Sequence, residues 1–387
     1  MKKKILYGTM RNFSTVFFIV LVFACSTKRQ ADTDLKDVKI YNIDPLEGKF
    51  FQWNDFIDKI KFIQLETTEK SLIGQLHKGI IDEDDIYIFD RRFHKLLNFD
   101  TTGKYIRNIG SRGGGPGEFL EMRDVCISKS NVYTLDYQKI HSYDRKNGVY
   151  LESWRLANTS EEFNPSNFFI YDKNSYFLWC SNPDARETDG KFYRMRMAYQ
   201  GKIKSEYFKY EYPTSEDPRF YPCSDNSVYI MPVDGEYVIY KLTNDSVYAS
   251  FAINFGKYAI SPQKADILRK SKEQNAYLKS DFYKRILKVL ETNDYIYFTC
   301  IGPKSYPYEG LINKKTEEIT FGKQDHTKSP RFFFSDSVFL YGYYEPHTLI
   351  ERKNNGTDLN ICFDVVFDSL NNISIDENPV LVKVLLK

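Results

Sequence analysis

One short pattern recurs six times along this chain: Asp or Asn, sometimes a spacer, then a β-branched residue and Tyr or Phe. It stands at Asp85-Ile86-Tyr87, at Asn131-Val132-Tyr133 and, in degenerate form, at Asn174-Ser175-Tyr176. It returns at Asn226-Ser227-Val228-Tyr229, Asp294-Tyr295-Ile296-Tyr297 and Asp336-Ser337-Val338-Phe339. Aromatic to aromatic, the copies lie 46, 43, 53, 68 and 42 residues apart. A turn residue leading into alternating apolar residues marks a hairpin and the strand that follows it. Further strand and turn signals follow, as in Leu96 to Asp100, then Thr101-Thr102-Gly103, then Tyr105 to Ile109. A unit of this length with several short antiparallel strands cannot bury its own faces and must stack on its neighbours. Six such units predict an all-β fold, a six-bladed β-propeller.

Composition agrees. Phe, Tyr and Trp number 30, 30 and 3, against only ten Ala, so strand formers are abundant and the best helix former is scarce. The exception is the 68-residue gap. It holds Ser261-Pro262, a helix start signal, followed by partial helical periodicity through Ile267, Leu268, Tyr277, Leu278, Phe282 and Tyr283. The reading is a helical insertion between blades four and five. Phe62 to Leu65 reads as a strand ahead of the first blade and Val380 to Leu385 as the last strand. Pairing them in one blade closes the ring and removes the open edge. No Pro/Gly/Ser-rich linker divides the chain, so residues 36–387 are expected to form one domain.

The N-terminus reads as an address. Lys2, Lys3, Lys4 and Arg11 precede an apolar run from Phe13 to Ala24, too short for a comfortable membrane span and suited to a signal peptide over residues 1–24. Its end, Leu21-Val22-Phe23-Ala24-Cys25, resembles a bacterial lipobox, although Phe23 is larger than the usual residue there. On that likeness Cys25 is lipidated, residues 25–35 are a polar tether, and the membrane is touched only through the lipid. The tether carries just Asp32 and Asp34 as acids, so surface display is not favoured over the periplasmic face. The chain carries 54 basic and 52 acidic residues. Losing residues 1–24 removes four positive charges and turns a net +2 into −2, which gives no electrostatic case for nucleic acid. The remaining cysteines, Cys126, Cys180, Cys223, Cys300 and Cys362, are scattered and odd in number, which argues against a disulfide framework and against zinc. They read as small buried hydrophobes.

The stretch Ile106 to Phe119 reads I-R-N-I-G-S-R-G-G-G-P-G-E-F, with Asp90 and Leu97-Asn98-Phe99-Asp100-Thr101-Thr102-Gly103 upstream. It resembles an NHL-type blade. Together with the lipobox-like end, the expected insertion and the closing Asn378-Pro379-Val380-Leu381-Val382, the chain resembles the six-bladed β-propeller lipoproteins of gut-type Gram-negative bacteria. The likeness spans nearly all of the mature chain and is sharpest over residues 80–119. It implies a fold and an outer-membrane, cell-envelope address. It supplies no catalytic residues.

The glycines Gly110, Gly113, Gly114, Gly115 and Gly117 lack the Lys-Ser/Thr of a P-loop and the strand-to-helix setting of a dinucleotide site. They read as a sharp passage between blades. Asp90 and Asp136 hold the same offset after their signature aromatics and read as ties for the following turn. Arg91, Arg92, His94, Arg112 and Asp136 are the candidate ligand-binding residues: Arg suits carboxylate or phosphate, provided these loops share one face. The five histidines (His77, His94, His141, His326, His347) form no H-E-x-x-H or close pair, and no G-x-S-x-G element occurs. No catalytic residue, metal or cofactor is assigned. The expected function is a lipid-anchored ligand- or partner-binding module for a glycan, peptide or envelope protein. The alternative is a lyase or hydrolase with its site in the central channel, with or without a metal.

Overall fold

The computed structural model describes residues 38–44, 48–82, 84–156, 163–180, 193–209, 220–223, 225, 227–231, 235–244, 246–325, 328–354 and 373–387. The expected signal peptide and tether, with Cys25, lie outside these residues, as do His326 and Cys362.

Six small antiparallel sheets stand around an axis as a six-bladed β-propeller. Blade one is Leu76–Asp82, Asp85–Asp90, Lys95–Asp100 and Tyr105–Asn108, from the axis outward. Blade two is Met122–Ile127, Asn131–Asp136, Lys139–Asp144 and Tyr150–Arg155. Blade three is Asn167–Asp172, Ser175–Trp179, Tyr193–Tyr199 and Lys202–Lys209. Blade four is Tyr221–Pro222, Val228–Ile230, Val238–Leu242 and Val247–Asn254. Blade five is Arg285–Glu291, Tyr295–Ile301, Pro307–Asn313 and Ile319–Lys323. Blade six is Phe334–Ser335, Phe339–Tyr344, Val380–Leu386 and, outermost, Ile57–Gln64 from the start of the domain.

The aromatic residue of each of the six signatures falls on a second strand. Those strands are covered on both faces by neighbouring blades, and Ser175–Trp179 is buried throughout. A strand with no solvent face keeps the apolar residues that make it legible. The outer strands face water, and Tyr150–Arg155 has no buried residue. The core lies in the seams between blades. Tyr87, Phe89 and Leu96 of blade one pack with Val132, Tyr143 and Phe119 on the blade-two side.

Ring closure follows the expected pairing. Ile57–Gln64 runs antiparallel to Val380–Leu386, with Phe62 opposite Val382. Asn378 fastens the joint. It is fully buried, its carbonyl accepts from Ile73 N at 2.8 Å, and its amide donates to Glu66 O at 2.9 Å and Ser71 O at 3.0 Å. The helical insertion is also present, as α1 (Pro262–Arg269) and α2 (Ala276–Lys279) between blades four and five. Ser261 caps α1, its hydroxyl accepting from Lys264 N, with Pro262 in the first turn.

Three features go beyond the sequence reading. Lys39–Asn42 adds a fifth strand to blade four, parallel to its outer strand, with Lys39 opposite Phe251. The chain then crosses blade five as a strap: Phe51 N donates to Lys323 O, and Lys323 N to Lys49 O. Within the strap, Trp53 Nε1 donates to Glu309 at 3.1 Å. The buried Glu309 also accepts from the Ser329 hydroxyl at 2.6 Å and the Tyr297 hydroxyl at 3.1 Å. Burial pushes its carboxyl up to about 7 against those three bonds. Finally, α3 (Pro346–Asn354) lies between the second and third strands of blade six. Among the described residues no helix is long and apolar enough to cross a membrane.

Candidate functional site

In an antiparallel four-stranded blade, the turn between second and third strands and the connection to the next blade emerge at the same end. Every blade therefore sends these two segments to one face, here called the upper face. The candidates sit there together. Arg91, Arg92 and His94 form the turn of blade one, Arg112 lies in the connection to blade two, and Asp136 ends the second strand of blade two.

Their environments differ. Arg91, Arg92 and Arg112 are exposed. Asp136 is buried and accepts from Leu120 N and Glu121 N, both at 3.0 Å, with His141 Nε2 at 3.6 Å. Burial raises its pKa, but His141 and the two amides outweigh that and hold the carboxyl below its ordinary value. Asp90 repeats the device: its carboxylate accepts from Gly74 N (2.6 Å), Gln75 N (3.2 Å), Arg92 N (2.8 Å) and Phe93 N (3.2 Å). Asp90 thus ties its turn to the entry of blade one, whereas the two amides bonded to Asp136 both come from the entry of blade two. His94 has a left-handed backbone (φ 50°), and its Nδ1 is buried without a hydrogen-bond partner. The glycine segment makes the passage from blade one to blade two, with positive φ at Gly110 and Gly117.

Sequence reasoning allowed for exposed Tyr and Phe on one face to stack on sugars or peptides, ascribed most of the aromatic surplus to strands and core, and named no residue. Phe93, Tyr137 and Tyr306 are 44%, 42% and 51% exposed, one in each upper turn of blades one, two and five. Each carries a cation against its ring. The Arg92 guanidinium lies 5.7 Å and Lys95 Nζ 5.5 Å from the Phe93 centroid. Arg123 lies 4.2 Å from Tyr137, and Lys323 Nζ 5.4 Å from Tyr306. Gly74 lets Phe93 lie close, since a Cβ there would stand 2.6 Å from its ring. The available signal was an aromatic just past a second strand, where solvent offers it no burial.

The central channel is lined by the first strands of all six blades, including Ile80, Val125, Phe169, Tyr221, Leu290 and Phe334. One cavity between these strands leaves about 40 Å³ to the centre of a water-sized sphere. Its polar contacts run around the wall. Lys78 Nζ donates to Asp124 at 2.8 Å and to Val125 O at 2.7 Å, and Asp124 accepts from Phe168 N at 3.1 Å. Among the described residues no group of three His, Cys, Asp or Glu gathers as a metal cluster. His77 meets the Phe89 ring edge-on at 5.4 Å, His141 is buried beside Asp136, and His347 lies on α3. Cys126, Cys180 and Cys300 are buried, as the sequence suggests, Cys223 is half-buried, and none of the four forms a disulfide among the described residues.

A family profile described as a domain of unknown function, DUF4934, matches residues 41–384, and the chain belongs to that family. No curated protein matches the chain. The fold is similar to the crystal structure of a Bacteroides fragilis protein whose name assigns it to export, with a TM-score of 0.74 and 17% identity over 90% of this chain and 100% of that one. It is also similar to a member of the DUF4221 family from Bacteroides vulgatus, with a TM-score of 0.51 and 14% identity over 86% of this chain and 97% of that one.

Proposed function

We propose that this DUF4934 propeller is a binding module of the cell envelope that holds an anionic glycan chain across its upper face. The observation that carries the reading is the set of three exposed, cation-flanked rings, Phe93, Tyr137 and Tyr306, on the face that also bears Arg91, Arg92 and Arg112. Flat apolar rings suit the faces of sugars, and arginine forks suit carboxylates. Loops on a rigid ring are a natural place for such a site.

On the same reading, residues 1–24 are a signal peptide, Cys25 carries the lipid, residues 25–35 are the tether and the blades are NHL-type. The lipobox-like Leu21 to Cys25 supports this, and the fold of a Bacteroides protein named for export agrees with an envelope address. The outer membrane is the membrane proposed.

The test is calorimetric titration with oligogalacturonides, their neutral methyl esters and a Glu-rich peptide. Saturable binding of the uronate, weakened roughly five- to thirtyfold by Phe93→Ala or Tyr137→Ala, is expected for ring contacts of about 1–2 kcal/mol. Equal binding of the neutral ester, or variants that bind like the parent, removes the reading. Preference for the acidic peptide would replace the glycan with a protein partner.

A further inference from the structure

The helical insertion presents a second surface, separate from the rings and arginines of blades one and two. Ile267 on α1, Leu278 on α2 and Tyr306 of blade five, next in the chain to Ser305, are 61%, 48% and 51% exposed. The contact is direct: the Ser305 hydroxyl donates to Leu278 O at 2.9 Å, and Lys304 N to Ser280 O at 2.9 Å. The insertion and the turns beside it carry six exposed lysines, Lys257, Lys264, Lys270, Lys272, Lys279 and Lys304. Against them are two exposed acids, Glu273 and Asp281. The third acid of the insertion, Asp266, already pairs with Lys270 at 2.7 Å.

The platform beneath is fixed. Lys284, buried, donates its ammonium to Ser280 O, Phe282 O and Gly302 O at 2.9–3.1 Å. Tyr283 stacks flat on Phe255 with centroids 4.3 Å apart. The Tyr237 hydroxyl accepts from Ile260 N at 2.9 Å and donates to Tyr283 O at 2.5 Å. Apolar side chains left outside a packed, hydrogen-bonded base are held out by the fold.

We infer that this patch docks a protein partner through an acidic segment carrying apolar side chains. Charge complementarity selects the acid: lysines in excess steer an anionic surface into place, while Ile267, Leu278 and Tyr306 supply the apolar centre. An anionic membrane offers the same chemistry, but the topology disfavours it. Lys39–Asn42 lies parallel to the outer strand of blade four, which runs toward the upper face. The chain ahead of Lys39 therefore enters from the opposite end. On the anchored reading proposed above, the tether holds the insertion away from the bilayer.

The experiment is fluorescence anisotropy on the purified full-length protein in detergent. The probe is a labelled 15-residue peptide of Glu and Asp with Leu at every third or fourth position. Two controls accompany it: the same peptide with Ser for Leu, and competition by monomeric dihexanoyl-phosphatidylglycerol. The expected results are binding that weakens about tenfold or more between 50 and 300 mM salt, and a similar loss in the Lys264→Glu, Lys272→Glu, Lys279→Glu variant. Ile267→Ser with Leu278→Ser is expected to cost about tenfold and to abolish the preference over the Ser peptide. All these positions are solvent-facing, and an unchanged melting curve shows that each variant folds. Absence of binding at millimolar peptide, indifference to charge reversal, or full displacement by the lipid overturns the proposal. Tyr306 is common to this patch and the glycan reading, but Phe93 and Tyr137 belong to the latter alone, so their alanine variants should bind the peptide normally, which keeps the two proposals distinguishable.

Discussion

Glu309 should make this propeller less stable as the pH rises from about 4.5 to about 7. Its carboxyl lies between the strap and two blades, with donors from Trp53, Ser329 and Tyr297 and with its pKa at about 7 against an ordinary 4.5. The folded-state value is raised. Below about pH 4.5 the group is protonated in both states and costs nothing. Between 4.5 and 7 the unfolded chain ionises while the folded protein retains its proton, so stability falls as pH rises. Above about 7 the loss is complete. A shift of that size corresponds to about 3 kcal/mol. Asp136 and Asp225, whose pKa values are lowered, pull the other way at acid pH. The informative quantity is therefore the difference between parent and Glu309→Gln. Gln fits the site: its oxygen accepts from Trp53 and Ser329, and its amide donates to the Tyr297 hydroxyl oxygen. Urea unfolding followed by tryptophan emission, at pH 5, 6, 7 and 8, should show the variant gaining about 2.5 kcal/mol on the parent across that span. The nearby Lys288 favours the ionised form, so Lys288→Met should steepen the parent's loss. Parallel curves with a constant offset would refute the reasoning.

Two other substitutions test the ring itself. Asn378→Ala removes one acceptor and two donors at the closing joint, so a loss of about 3 kcal/mol is expected. Hydrogen exchange should show Ile57–Gln64 losing protection before the other blades. Gly79→Ala places a Cβ 2.2 Å from the Phe333 ring at the seam of blades one and six, a crowding cost of about 1–3 kcal/mol. Phe333→Leu in the same chain should recover part of it, and a double-mutant cycle by urea unfolding measures the coupling.

The sequence exposed those parts of the fold whose side chains had no choice. Second strands are covered on both faces, so six turn-and-aromatic copies survive in the sequence even where the outer strands drift to polar residues. Ser261-Pro262 announced a helix because capping is a local matter. Lys39–Asn42 stayed hidden because four residues of mixed character carry no period, and their partner lies more than 200 residues away. Trp53 and Glu309 meet across 256 positions, a distance no local pattern bridges. At the upper face, the tie made by Asp90 was legible from its offset. Phe93, Tyr137 and Tyr306 were not, because the chain is so rich in aromatics that a displayed ring reads like a buried one. What distinguishes them is exposure, which only the assembled ring determines.

The strand Lys39–Asn42 also sets the order in which the domain would yield to a pull on the chain ahead of it. Load entering there meets a pairing of only four residues at the rim of blade four, then the strap across blade five, and only then the eight-residue closing strand Ile57–Gln64. The short pairing can peel and re-form while the joint held by Asn378 carries no tension. The ring is thus mechanically insulated, with a sacrificial link placed between any towing force and the seam on which its closure depends.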